Sequence, residues 1–272
     1  MTDPTQNLDT DALRAFGEGV DFGRTASDYA THRAGFPPAF FELLTQRGWA
    51  GPGQTAVDIG CGTGTVARGL AGLGLDVTGI DPAQPLLDEA RKLDRAAGVH
   101  VTYRTGTAEA TGLPPASTDL VTAGQCWHWF ERSAAAAEVA RLLRPGGRAV
   151  IAHFDWLPLP GNVVAATEAL ILRHNSGWAG AGGTGIYPAW LTDLAQAGLT
   201  ALETASFDVA QPYTHDAWRG RIRASAGVAA SLDAERTAVF DAVLATLLMQ
   251  EFPDAPMSIP HRVWLATGVL DT

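Results

Sequence analysis

Residues Val57 to Gly64 read VDIGCGTG: an apolar run carries an acid, Asp58, and glycines follow at every second position, Gly60, Gly62 and Gly64. Glycines so spaced leave the backbone bare, and main-chain N–H groups can then approach a ligand that side chains would keep away. A second acid, Asp81, stands 17 residues past Gly64 and ends another apolar run, DVTGI. A carboxylate there offers the two acceptors that a vicinal diol needs, so the expected ligand fragment is a ribose. The plainer alternative is a helix cap, since Pro82 follows directly.

Two ligand classes compete for this turn. Gly62, Gly64 and Ala67 satisfy the G-x-G-x-x-A pattern of dinucleotide sites, which would make the chain a nicotinamide-dependent oxidoreductase. Asp58 would then sit unfavourably beside a pyrophosphate, and no Tyr/Lys or His/Asp set for hydride transfer is evident. An adenosine carrying a cationic arm and no phosphate has the opposite need, because an acid beside the turn favours it.

The elements that must position these residues follow from periodicity. From Thr55 to Phe154 short apolar runs alternate with helical patterns, the mark of a parallel sheet with helices on both faces. The expected strands are TAVDI, DVTGI, HVTYR, DLVTAG and GRAVIAHF. Between them lie the helices TVARGLAGL, PLLDEARKLDRAAG closed by Gly98, and SAAAAEVARLLR, with Ser133 as N-cap and a stop at Pro145. Beyond Phe154 the spacing predicts a helix NVVAATEALILRH, a glycine-rich loop at Gly177 to Gly185, a helix PAWLTDLAQAG, a strand LETASFDVAQPY and a last strand HRVWLATGVL.

Other side chains with chemical potential cluster after the fourth strand. WHWF, Trp127 to Phe130, places successive aromatics where they cannot all face one core, so at least one ring is expected to line a cleft. His128 is the candidate base or orienting donor, with a satisfied core histidine as the alternative. Trp127 and Trp129 can shape a pocket or offer a ring face to a cation. His153 and Trp156 stand past strand five, where a substrate is expected; Trp178 and Tyr187 flank the glycine-rich loop and read as lid packing, with contact to the substrate as the alternative. Cys126 carries no mark of a nucleophile. A metal site from His153, Asp155 and His174 lacks ligand spacing, so no metal is expected.

Taken in order, these stretches resemble the motifs of class I S-adenosylmethionine-dependent methyltransferases. VDIGCGTG resembles the first motif and GIDPAQPLLDEAR the second. GTAEATGLP is similar to the adenine-binding turn, DLVTAGQCWHWF to the fourth-strand motif and RLLRPGGRAVI to the turn into strand five. The resemblance implies S-adenosyl-L-methionine as cofactor, with Asp81 on the ribose, Glu109 toward the adenine amine, Ala108 in backbone contact and Gln125 beside the methionine portion. The segment ASDYATHRAGFPPAFFELL resembles the branch that holds ubiquinone-biosynthesis and trans-aconitate methyltransferases. There Tyr29 and Arg33 would face the methionine carboxylate, although Ala34 stands where that branch has a proline.

The fold expected is α/β, a Rossmann-like doubly wound sheet of about seven strands, mostly parallel with an antiparallel last strand, plus helical lid insertions. Residues 1–272 would form a single domain with an N-terminal helical segment 1–50, a core 51–155 and lid insertions near 156–186 and 214–252. With 29 acids against 19 bases the formal charge is −10, which opposes nucleic acid as a partner. The three arginines of WRGRIR, Trp218 to Arg223, read as a solvated helix face, with a site for an acidic substrate group as the alternative. Two cysteines exclude a disulfide framework, and neither a signal-peptide core nor 18 uninterrupted apolar residues occurs, so a cytoplasmic protein away from the membrane is expected, as monomer or homodimer. The expected activity is methyl transfer to a small-molecule acceptor, a carboxylate or phenol-like oxygen being favoured; an S-adenosylmethionine-binding regulator that transfers nothing is the alternative.

Overall fold

In the computed structural model, residues 35–229 and 231–271 are described, and Tyr29 and Arg33 lie outside them. The described elements run α1 (Pro38–Gln46), β1 (Thr55–Ile59), α2 (Thr65–Gly72), β2 (Asp76–Asp81), α3 (Gln84–Ala97), β3 (Thr102–Thr105), β4 (Thr118–Gly124), α4 (Arg132–Leu142), β5 (Leu143–Trp156), α5 (Val163–His174), α6 (Ala189–Gln196), β6 (Leu199–Tyr213), α7 (His215–Arg223), α8 (Ala234–Glu251) and β7 (Met257–Leu270). The strands form one seven-stranded sheet in the order β3-β2-β1-β4-β5-β7-β6, parallel from β3 through β5 and antiparallel at its last strands. This order reverses direction between β1 and β4, and in such sheets ligands gather outside the carboxyl ends of the strands at that reversal.

The chain divides into two compact units. One comprises residues 35–154 with residues 188–206 and 263–271. Its central strands are buried on both faces, with Ile59, Ile80 and Leu120 inaccessible to solvent, as parallel strands under helices require. Edge strand β3 buries Tyr103 alone of its four residues. Asp119 clamps the lower end of the sheet: its carboxylate accepts from the Thr55 amide and hydroxyl at 2.8 Å each and from Arg144 at 2.7 Å.

The other unit takes in Asp155–Tyr187 and Phe207–Arg262, which include α5, α7, α8 and the adjoining residues of β5, β6 and β7. Asn162, Thr214 and Asp233 cap its three helices through side-chain oxygens. Trp218, Phe240, Leu244 and Leu248 are fully buried in it. The arginines of WRGRIR are not a solvated face. Arg219 and Arg223 both pair with Asp241 of α8, and Arg221 lies 4.6 Å above the Trp156 ring. Residues 219 and 223 are one helical turn apart and so reach the same acid.

Several element boundaries differ from the sequence expectation: β3 begins at Thr102 rather than His100, β6 at Leu199 rather than Leu202, and β7 at Met257 rather than His261. Helix α4 begins at Arg132, so its N-cap is Glu131, whose carboxylate accepts from the Ala134 amide at 2.7 Å, rather than Ser133. Strand β5 begins at Leu143, and the register shift between Thr118 and Leu120 absorbs Pro145 and the two glycines after it. Among the described residues no helix is long and apolar enough to cross a membrane.

Candidate active site

Strand β1 delivers the glycine turn to the carboxyl end of the sheet. Gly60 and Gly64 adopt φ of +62° and +77°, a left-handed backbone that costs other residues about 1–2 kcal/mol. Space excludes a side chain as well, since a Cβ on Gly60 would stand 2.7 Å from Phe130 Cζ and 2.9 Å from Cys126 Sγ. The turn therefore packs directly against the segment that follows β4.

Asp58 is buried beneath this turn. One carboxylate oxygen accepts from the Ala67 amide of α2 at 3.1 Å and the other from the Thr122 hydroxyl of β4 at 2.7 Å. Burial pushes its pKa up to about 7, against the opposing effect of those two bonds, and the Asp81 charge raises it further. Below about pH 4 the carboxyl is protonated in folded and unfolded chains alike. Between 4 and 7 the unfolded chain releases the proton that the folded one keeps, so stability falls as pH rises through that window and levels off above it. The cost has an upper bound of ~4 kcal/mol. Asp58→Asn preserves the shape, with the amide oxygen facing Ala67 and the amide N–H facing Thr122. Urea denaturation at pH 5 and pH 8 is expected to show a smaller loss of stability across that interval in the variant than in the wild type; equal losses would contradict this assignment.

Asp81 ends β2 and is nearly buried. Its Oδ2 accepts from the Gly62 amide and its Oδ1 from the Ala83 amide, both at 2.9 Å. It does not cap α3, which has no side-chain cap. Burial raises its pKa, an effect these two amides oppose. Among the described residues neither Asp58 nor Asp81 forms an ion pair. Two carboxylates beside bare backbone fit a ligand with a cationic arm, whereas a pyrophosphate would add like charge.

The remaining positions of this unit lie after β3, after β4 and within β5. Ala108 is buried in a short turn closed by a Thr107–Ala110 bridge, and Glu109 next to it accepts from the Glu131 amide at 2.9 Å. Gln125, at φ +61°, donates from its side-chain amide to the Phe154 carbonyl at 2.9 Å. WHWF begins with a single 3-10 turn, Trp127–Trp129. Trp127 is fully buried and donates its indole N–H to Asp193 at 2.9 Å. The His128 ring lies 4.3 Å from Trp129 and 5.1 Å from His153, which in turn lies 5.8 Å from Trp190.

Comparison with known proteins decides between the two ligand classes. Residues 57–151 match the family described as Methyltransferase domain, a span that begins one residue before Asp58 and ends within β5. These residues thus match a methyltransferase domain. A methyltransferase of Mycobacterium tuberculosis is 36% identical over 129 residues, 47% of this chain and 50% of that protein. The ubiquinone biosynthesis O-methyltransferase of Methylococcus capsulatus is 38% identical over 97 residues, 35% of this chain and 41% of its own. The chain thus spans about half the length of the curated relatives it matches, or less. Among solved structures, one described as a type II methyltransferase from Anaeromyxobacter dehalogenans superposes with a TM-score of 0.62 at 25% identity, covering 88% of this chain and 97% of that one.

Twelve of the residues singled out in the sequence belong to the unit that holds the glycine turn, in or after β1, β2, β3, β4 and β5. Trp156, Trp178 and Tyr187 belong to the other unit. There Trp156 donates to Glu168 at 2.7 Å, Trp178 is buried, and the buried Tyr187 hydroxyl donates to Asp155. Two residues that contact the glycine turn escaped sequence reasoning. Phe130 lies against Gly60, and Tyr103 lies against Gly64. Phe130 belongs to a stretch already conspicuous for its rings, whereas Tyr103 carried no signal.

Proposed function

We propose that the protein binds S-adenosylmethionine at the glycine turn and transfers its methyl group to a small-molecule acceptor. The Asp81 carboxylate carries this reading, because it sits at the end of β2 and already orders the turn through Gly62. In this reading Asp81 receives the ribose diol, Glu109 and Ala108 the adenine, and Gln125 the methionine portion, with Tyr29 and Arg33 toward its carboxylate. Asp58 acts from beneath, holding α2 and β4 in place while its charge favours the cationic arm.

When bound, the cofactor supplies a methyl already activated on a sulfonium. What the protein adds is chiefly alignment of two reactants, worth up to ~7–11 kcal/mol in favourable systems. His128 takes the proton from an acceptor that must lose one, and a carboxylate acceptor needs no base. Trp129 and His153 are proposed to select the acceptor. The printed name of the Methylococcus relative is that of an O-methyltransferase, which supports an oxygen acceptor of carboxylate or phenol type.

The test is mass spectrometry for S-adenosylhomocysteine and methylated product across a panel of carboxylic acids, phenols and amines. At least one acceptor is expected to give product that scales with protein. Binding of the cofactor with no product from any acceptor would instead favour a regulator that transfers nothing.

A further inference from the structure

Helix α4 grips the segment that follows β3 at two points. At its N-terminus the Glu131 amide donates to Glu109 Oε1 at 2.9 Å. Two helical turns on, the buried Glu138 accepts twice from Thr111 through Oε1, from the amide at 3.0 Å and from the hydroxyl at 2.5 Å. Arg141, one turn further, completes the set. Its Nε donates to Glu138 Oε2 at 2.6 Å, and its Nη2 donates to Glu138 Oε1 and to the Leu113 carbonyl, both at 2.8 Å. The Thr111 hydroxyl in turn accepts from the Leu113 amide at 3.3 Å.

A bidentate pair between guanidinium and carboxylate is strong and fixed in direction, so the acceptor offered to Thr111 is held in one place. Only Ala110 separates Thr111 from Glu109, and a shift of Thr111 is therefore carried to the Glu109 carboxylate. We propose that Glu138 and Arg141 are positioning residues for the base of the cofactor: by fixing Thr111 and Leu113 they hold the turn at 107–110 where Ala108 and Glu109 meet the adenine. This rests on the reading of that turn as the adenine site. Ordering the turn before the ligand arrives lowers the cost of binding.

The experiment is isothermal titration of the full chain with two probes, S-adenosylhomocysteine and S-inosylhomocysteine, the second having a carbonyl oxygen where adenine has its amine. Wild type is expected to prefer the adenosyl probe by more than ~10-fold, since the Glu109 carboxylate accepts from the amine and has nothing to accept from the carbonyl. Glu138→Gln keeps the size but turns an amide N–H toward the donors of Thr111 or Arg141. It is expected to cut the preference about fivefold, almost wholly by weakening the adenosyl probe. Thr111→Val supplies a second arm that leaves the Glu138–Arg141 pair in place. It removes one hydroxyl at nearly constant shape and should cut the preference about two- to threefold, whereas Thr111→Ser keeps the hydroxyl and should leave it at the wild-type level. Equal losses for both probes, the mark of a pair that only supports the fold, would overturn the proposal. So would an unchanged preference in both Glu138→Gln and Thr111→Val. A wild type that binds the two probes equally would overturn the adenine reading beneath it, and one that binds neither would overturn the cofactor reading.

Discussion

Asp81→Ala is expected to weaken S-adenosylmethionine binding by roughly two to three orders of magnitude, the product of two losses. In the proposed complex the carboxylate accepts from both hydroxyls of the ribose, and bonds to a charged acceptor contribute about 1.5–3 kcal/mol each. The same oxygens hold the Gly62 and Ala83 amides at 2.9 Å, so their removal also frees the turn and the entry to α3. Together these exceed ~3 kcal/mol, which is more than a hundredfold in affinity. Asp81→Asn keeps the size and one acceptor but turns an amide N–H toward a backbone N–H. An intermediate loss of about tenfold is expected from it. Titration calorimetry at one pH, with melting curves to separate folding from binding, measures both. Wild-type affinity in Asp81→Ala would remove the residue from the site.

Gly60→Ala is expected to disturb folding and binding together. Its φ of +62° costs an alanine about 1 kcal/mol, and the added methyl meets Phe130 at 2.7 Å and Cys126 at 2.9 Å. Overpacking of this kind adds about 1–3 kcal/mol. For a chain of this size the sum should lower the melting temperature by roughly 5–10 °C. Ligand affinity should fall by more than ~10-fold, because relief of the contact must displace either the turn or Phe130. Gly72→Ala is the control: that residue lies in α2 with nothing within 4 Å of the added methyl. It should be neutral or slightly stabilising. Equal effects from the two substitutions would mean that the turn is not held as described.

The parts of this site that were legible in the sequence are those that depend on local spacing. Asp58, the alternating glycines and Asp81 are tied together by strand length and turn chemistry, and β1 and β2 run over the residues expected of them. Gly98 closes α3 in a left-handed conformation for the same reason. What stayed hidden depends on contacts far apart in the chain. Ser133 looked like a cap because short hydroxyls usually are, yet the helix starts one residue earlier and a glutamate serves. Trp127 looked like a pocket wall, and its indole is instead fully buried with its N–H on Asp193, 66 residues away. Tyr103 was one aromatic in an edge strand until Gly64 and Gly79 were seen to make room for it.

A crystal structure of the complex with S-adenosylhomocysteine tests the central claim most directly. The ribose hydroxyls are predicted to lie within hydrogen-bonding distance of the Asp81 carboxylate, the adenine amine beside Glu109, and the ligand backbone along Gly60 to Gly64. A ligand bound elsewhere, or an Asp81 carboxylate turned away from the ribose, would contradict the account.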